Sequence, residues 1–245
     1  MALQPRTATV EQPADAPPAI AACGLGKVLD ERQILRDINL RVAAGEYIGL
    51  LGANGAGKTT LLKILATLMP PSQGEVHLFG QKLSPGNVAV RARIGLIGHQ
   101  PMLYRDLSAR ENLTFFARLY AVNDAPARVD RMLRMVGLAD RADDPVKNFS
   151  RGMVQRLSIA RALLHEPSLI LADEPFAGLD APSIQSLEQL LQRLNAAGRT
   201  IVMVNHDIEQ TLRLADRAIV LRQGRIALDQ QTHRLYAREV LSEVS

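Results

Sequence analysis

The stretch "GANGAGKTT", Gly52–Thr60, runs directly into "LLKILATLM", residues 61–69. Gly52, four intervening residues, Gly57, Lys58 and Thr59 reproduce the G-x-x-x-x-G-K-T spacing of a phosphate-binding loop. Both flanks agree with it. "EYIGLLG" reads as a short apolar strand ending in glycine, and "TTLLKILATLM" reads as a helix. Glycines let the backbone curl so that N–H groups point inward, and the helix N-terminus adds partial positive charge. On this reading Gly52, Ala53, Asn54, Gly55, Ala56 and Gly57 form the cradle, with Thr60 adding a further contact. Lys58 reaches the β- and γ-phosphates of a nucleotide, and the Thr59 hydroxyl ligates Mg²⁺.

Working outward, "LILADEP", residues 169–175, is an apolar strand ending in two acids. Asp173 would stand at the sheet edge beside the loop and hold the Mg²⁺ shell. Glu174 would face the γ-phosphate and polarise an attacking water. "NFSRGMVQRLSIARALL", residues 148–164, starts a helix at Ser150 whose first-turn N–H groups make a second anion site. One chain already has a phosphate loop, so this second site makes sense if it serves another subunit's nucleotide.

Alternating strands and helices imply a mostly parallel sheet. Residues 101–148 change character. "LSARENLTFFARLYAV" has helical spacing behind a Ser108/Glu111 capping box, and "APARVDRMLRMVGL" is amphipathic, so the block reads as a helical insertion. "RAIVLRQGRIALD" reads as a hairpin turning at Gln223-Gly224. The expected organisation is a disordered tail over 1–18, one domain over 19–235 with helices inserted at about 101–165, and a C-terminal tail over 236–245.

The chain has 245 residues, a net charge of +4 and one cysteine. The mild positive charge suits a small polyanion, and no nucleic-acid partner is expected. Cys23 belongs to no disulfide framework and reads as a small buried or half-buried residue. No apolar run approaches the roughly 18–20 residues of a membrane span. The expected location is the cytoplasmic side of a membrane, held there through a partner.

Taken together these motifs resemble the ATP-binding-cassette (ABC) transporter ATPases. They come in that family's order: loop 52–59, Gln100 of "GHQ", 149–153, Asp173 and Glu174, "AGLD" ending at Asp180, and His206 of "VNHD". The resemblance implies an α/β P-loop NTPase with a mostly parallel core sheet, an antiparallel β subdomain and an inserted helical subdomain. It implies ATP and Mg²⁺ as ligands, a membrane-spanning transporter subunit as partner, and a second copy or a related subunit in an ATP-sandwich dimer. Gln100 would touch Mg²⁺ and the water, His206 the γ-phosphate, and Asp180 the dimer interface. Ser150, Arg151, Gly152 and Met153 would meet the partner's nucleotide.

Two departures stand out. The family's Leu-Ser-Gly-Gly-Gln reads Phe149-Ser150-Arg151-Gly152-Met153 here. Arg151 either adds charge near the phosphate or faces solvent, and Met153 packs. No aromatic stands near Leu29, where the family often stacks one on adenine. "GHQPMLYRDLSARENLTFFARLYAV" and "DEPFAGLD" resemble the haem-exporter ATPase of cytochrome c maturation, with multidrug and ABC-2-type exporter ATPases as the alternative. A soluble cassette ATPase is a further alternative. His99, His165 and His233 match no motif position and read as structural or solvated.

Overall fold

The computed structural model describes residues 17–84, 86–98 and 100–244. Nearly all of the expected N-terminal tail, and His99, lie outside them.

The chain opens with two long antiparallel strands, β1 (Ile20–Leu29) and β2 (Arg32–Val42), followed by β3 (Tyr47–Leu51) and helix α1 (Lys58–Leu65). Then come β4 (Gln73–Leu78), β5 (Gln81–Lys82), the one-turn helix α2 (Val88–Arg91) and β6 (Ile94–Ile97). Helices α3 (Ala109–Leu119), α4 (Ala125–Met135) and α5 (Arg151–Leu163) follow without an intervening strand. The chain returns to β7 (Leu169–Asp173), α6 (Ala181–Ala196), β8 (Thr200–Val204), α7 (Ile208–Leu214), β9 (Arg217–Arg222), β10 (Arg225–Gln231) and α8 (Ala237–Val244).

The strands form two sheets. One is antiparallel, in the order β2-β1-β4-β5, and the other has the order β10-β9-β3-β8-β7-β6. In the second, β9, β3, β8, β7 and β6 are parallel and only the edge strand β10 runs against its neighbour. β3, β7 and β8 are buried at every residue, as parallel strands covered on both faces must be. One core fills the space between the two sheets around α1, and a second lies under α3–α6. The β9–β10 hairpin turns at residues 223–224.

The capping box at α3 is complete: Ser108 Oγ accepts from Glu111 N, and a Glu111 carboxylate oxygen accepts from Ser108 N at 2.7 Å. Cys23 is exposed on β1, a correction to the burial expected of it. β1 is bulged between Cys23 and Gly26, which moves neighbouring side chains off the alternation that the sequence suggests. The last stretch is the helix α8, and its Val240 is fully buried beside β9.

Candidate nucleotide-binding site

β3 delivers the 52–57 loop to the C-terminal edge of the parallel sheet, and α1 carries it away. Gly52 sits at φ +144°, where a Cβ would stand 2.2 Å from the Leu221 carbonyl oxygen of β9. Only glycine meets both conditions at once. Ala53, Asn54 and Gly55 form the exposed rim, while Ala56, Gly57 and Lys58 are buried. The α1 N-terminus has no side-chain cap, so its first N–H groups remain open to an acceptor.

Lys58 Nζ donates to the carbonyls of Gly52 at 2.6 Å and Ala53 at 2.9 Å, folding the ammonium back over the loop. Burial lowers its pKa from the ordinary lysine value, and the charges of Glu174 and Asp173 pull it back up. Thr59 Oγ1 lies 3.4 Å from Asp173 Oδ1, so a hydroxyl and a buried carboxylate converge beside the loop. Among the described residues no cluster of three or more His, Cys, Asp or Glu side chains could hold a metal by itself. One hydroxyl and one carboxylate nevertheless suit Mg²⁺, which takes few protein ligands and completes its shell with phosphate oxygens and water.

Glu174 continues β7 by one residue, with its N–H bonded to Val204 O, at φ +51°. That conformation is sparsely populated for a side chain of this size. It turns the carboxylate toward β8, where His206 Nε2 meets Glu174 Oε1 at 2.6 Å. Asn205, which the motif reading passed over, builds that turn. Its Oδ1 accepts from His206 N at 2.9 Å, and its Nδ2 donates to Gln210 Oε1 at 2.8 Å. A buried Asn between an apolar strand and a helix start is the signal that points to it.

Ser150 caps α5, its Oγ accepting from Met153 N at 3.3 Å. Met153 is half-buried against the helical core. Arg151 is exposed, the second of its two expected places, yet it also makes a contact that the motif did not suggest. Its side chain lies along Gly178, where an added Cβ would stand 2.7 Å from Nε. Gln155 Nε2 donates to Pro175 O at 3.0 Å, a second tie between α5 and the 174–180 loop. Asp180 caps α6 by accepting from Ser183 N at 3.0 Å, and the Ser183 hydrogen bonds hold its carboxyl below the usual range. Gln100 is exposed in the bend after β6. Val28, next to Leu29, is exposed near the end of β1.

The structure thus gathers Lys58, Thr59, Asp173, Glu174 and His206 in one place. Ser150–Met153 and Asp180 form a second group, and among the described residues no hydrogen bond or ion pair joins that group to the 52–60 loop. The ABC transporter family model matches residues 35–177, more than half of the chain. The chain belongs to the ABC transporter family. It is 38% identical over 208 residues to the ABC transporter ATP-binding protein NatA of Bacillus subtilis (strain 168), covering 84% of this chain and 85% of that one. It is 34% identical over 227 residues to the Nod factor export ATP-binding protein I of Rhizobium johnstonii, covering 91% and 73%. A solved dimer of an ATP-binding cassette in a post-hydrolysis state, bound to ADP and Pi, superposes with a TM-score of 0.80 at 30% identity. It covers 89% of this chain and all of that one. This ABC ATPase therefore has the cassette fold, and its reaction is ATP hydrolysis coupled to transport. No helix among its described residues is long and apolar enough to cross a membrane.

Proposed function

We propose that this subunit energises an exporter of the ABC-2 or multidrug type from the cytoplasmic side of the membrane, bound to a membrane-spanning partner. The observation that carries the catalytic part is the Glu174–His206 pair held beside the Lys58 loop. The exporter reading is supported by kinship with a protein named for Nod factor export. It replaces the haem-exporter reading, which the relatives reported above do not favour.

In the proposed cycle Lys58 exchanges loop carbonyls for β- and γ-phosphate oxygens, and the loop N–H groups and α1 N-terminus take the remaining negative charge. Thr59 and Asp173 would hold Mg²⁺, which neutralises phosphate charge when bound. Glu174 accepts a proton from the water that attacks the γ-phosphorus. The bond to the β–γ bridging oxygen breaks, giving ADP and inorganic phosphate. His206 keeps Glu174 oriented and offers a hydrogen bond to a γ-phosphate oxygen. Gln100 would line the site once nucleotide is present. Ser150, Arg151, Gly152, Met153 and Asp180 would complete the site of a second copy.

Glu174→Gln keeps the shape and removes the base. Purified Glu174→Gln protein should bind Mg·ATP with near wild-type affinity and lose at least about a hundredfold in turnover. It should also become dimeric in light scattering when ATP is added. Wild-type turnover would refute the assignment of Glu174, and an ATP-loaded monomer at high concentration would refute the sandwich.

A further inference from the structure

A cleft of about 350 Å³ opens between the C-terminal end of α4, the second turn of α5 and the first three turns of α6. Apolar Met135, Leu179 and Leu190 line it together with Arg134, Arg156 and Arg193. No acidic side chain lines it. Elsewhere arginines vary: Arg91 and Arg161 bond a hydroxyl and a backbone carbonyl, whereas Arg110, Arg141, Arg213, Arg217 and Arg222 meet carboxylates. The three cleft arginines do not. Arg156 Nη1 donates to the Val136 and Gly137 carbonyls at 3.0 and 3.2 Å. Among the described residues the Arg193 side chain bonds only the Gln189 carbonyl, one turn back in its own helix. Arg134 has no side-chain partner among the described residues. Asp180 lies near enough to feel the charge of Arg156, but its carboxylate is committed to Ser183 N.

Three guanidinium groups with no hydrogen-bonded carboxylate, set around one concavity with apolar side chains between them, sum to a local positive potential at its mouth. A solvated arginine face would need neither the concavity nor the apolar side chains. The volume falls within the range of small-molecule sites, where an apolar lining supplies burial and a few polar groups fix orientation. We propose that this cleft binds a small organic anion with a carboxylate, sulfonate or phosphate on an apolar body. The anion would take paired N–H donors from the arginines. Its body would lie on Met135, Leu179 and Leu190. The cleft shares no residue with the 52–60 loop. It bridges α5, which starts at Ser150, and α6, which starts at Asp180, so an occupant would fix the spacing of those two helix starts.

The test uses the full chain and two fluorescent probes of similar shape, anionic anilinonaphthalene sulfonate and uncharged phenylnaphthylamine. The double variant Arg134→Glu/Arg193→Glu changes exposed side chains only, and its thermal unfolding is recorded alongside. Saturable binding of the anionic probe is expected to the wild type. In the double variant its affinity should fall at least about tenfold, or about 1.4 kcal/mol, while affinity for the uncharged probe stays constant. Saturating ADP should leave the anionic probe bound. Each of three results overturns the proposal: no saturable binding to the wild type, equal affinity of the two probes, or anionic binding that ADP abolishes and the double variant leaves unchanged. If the double variant unfolds early, Arg134→Gln and Arg193→Gln singly must each weaken the anionic probe, and unchanged affinity in both is equally fatal.

Discussion

At the level of single residues, backbone geometry decides more than side-chain identity does. Gly52 and Gly55 both belong to the loop motif, yet their surroundings differ. Gly55 has φ +81° and nothing within 4 Å of where a methyl group would stand, whereas Gly52 has φ +144° and a carbonyl oxygen at 2.2 Å. Gly55→Ala should therefore lose only the conformational penalty, roughly 1–2 kcal/mol. Gly52→Ala adds a backbone collision and should lose roughly 3 kcal/mol or more. Urea unfolding of the two variants checks this, and equal losses would mean that the approach of Leu221 is immaterial. The motif identified both glycines as necessary but could not rank them, because the Leu221 carbonyl comes from a strand 169 residues further along. The same limit hid Arg151. Its place against Gly178 depends on how the α5 start meets the 174–180 loop, which no local pattern encodes.

Among the elements, those with strong local signals were legible and those set by packing were not. The capping box and amphipathic spacing announce α3 and α4. The order of strands, with β3 between β9 and β8, is fixed only by tertiary pairing. His165, just beyond α5, stacks on Tyr120 at 3.9 Å between ring centroids, with Nε2 3.0 Å from Ile94 O. Burial lowers its pKa from 6.5, and nearby Arg161 and Arg128 add to that against the raising effect of the Ile94 bond. Above about pH 6.5 the ring is neutral in folded and unfolded chains alike, so its contribution is fully present. As pH falls through 6.5 the unfolded chain takes up a proton that the folded chain excludes, and stability is lost until the folded pKa is passed. Denaturant melts of wild type and His165→Asn between about pH 7.5 and 5.5 should show a steeper acid loss in the wild type. Parallel curves would show that His165 is not the titrating group.

The loop over 101–107 shows how an element can carry a signal. Asn112 is fully buried and grips Tyr104 on both sides, accepting from its N–H at 2.8 Å and donating to its carbonyl at 2.9 Å. Further along, Val146 N and Lys147 N donate to Leu107 O and Arg105 O, so the loop is bonded to the segment just before Ser150. Leu103 packs inward on the helical core, while Tyr104 is 50% exposed against Phe115 and Phe116. Of these two neighbours only Tyr104 is presented outward, and there it could anchor the membrane subunit of the proposed exporter. Tyr104→Glu should leave folding and basal ATP turnover of the isolated subunit within about twofold, since exposed substitutions seldom exceed roughly ±0.5 kcal/mol. Recovery of the membrane complex should fall sharply. An unfolded variant would place Tyr104 in the core, and a complex that forms normally would move the docking surface elsewhere.

For the whole molecule, the sheets lock together while the two halves of the nucleotide site stay apart. Arg217 of β9 bonds Asp229 of β10, Glu46, and the Arg41 carbonyl of β2 at 3.0 Å, bridging the parallel sheet to the antiparallel one. Asp229 leads the causes that raise its pKa, so its charge is secure. That frame presents the 52–60 loop and the Ser150 helix start as separate surfaces of one body, and in a symmetric dimer each loop would face its partner's α5. Complementation tests this directly. Lys58→Ala spoils the loop and spares the helix start. Ser150→Asp does the reverse: aspartate is a good N-cap, so α5 keeps its start, but a carboxylate now faces the partner's phosphates. Neither variant alone should hydrolyse ATP appreciably. Mixed in equal amounts, half of the dimers pair one of each and contain one intact composite site, so activity should rise to about a quarter of wild type. A mixture no more active than its components would mean either that each chain completes its own site or that one intact site cannot fire alone. ATP-dependent dimerisation separates these, because the mixture should still associate on adding ATP if the composite site forms, and its failure to do so would overturn the shared-site architecture.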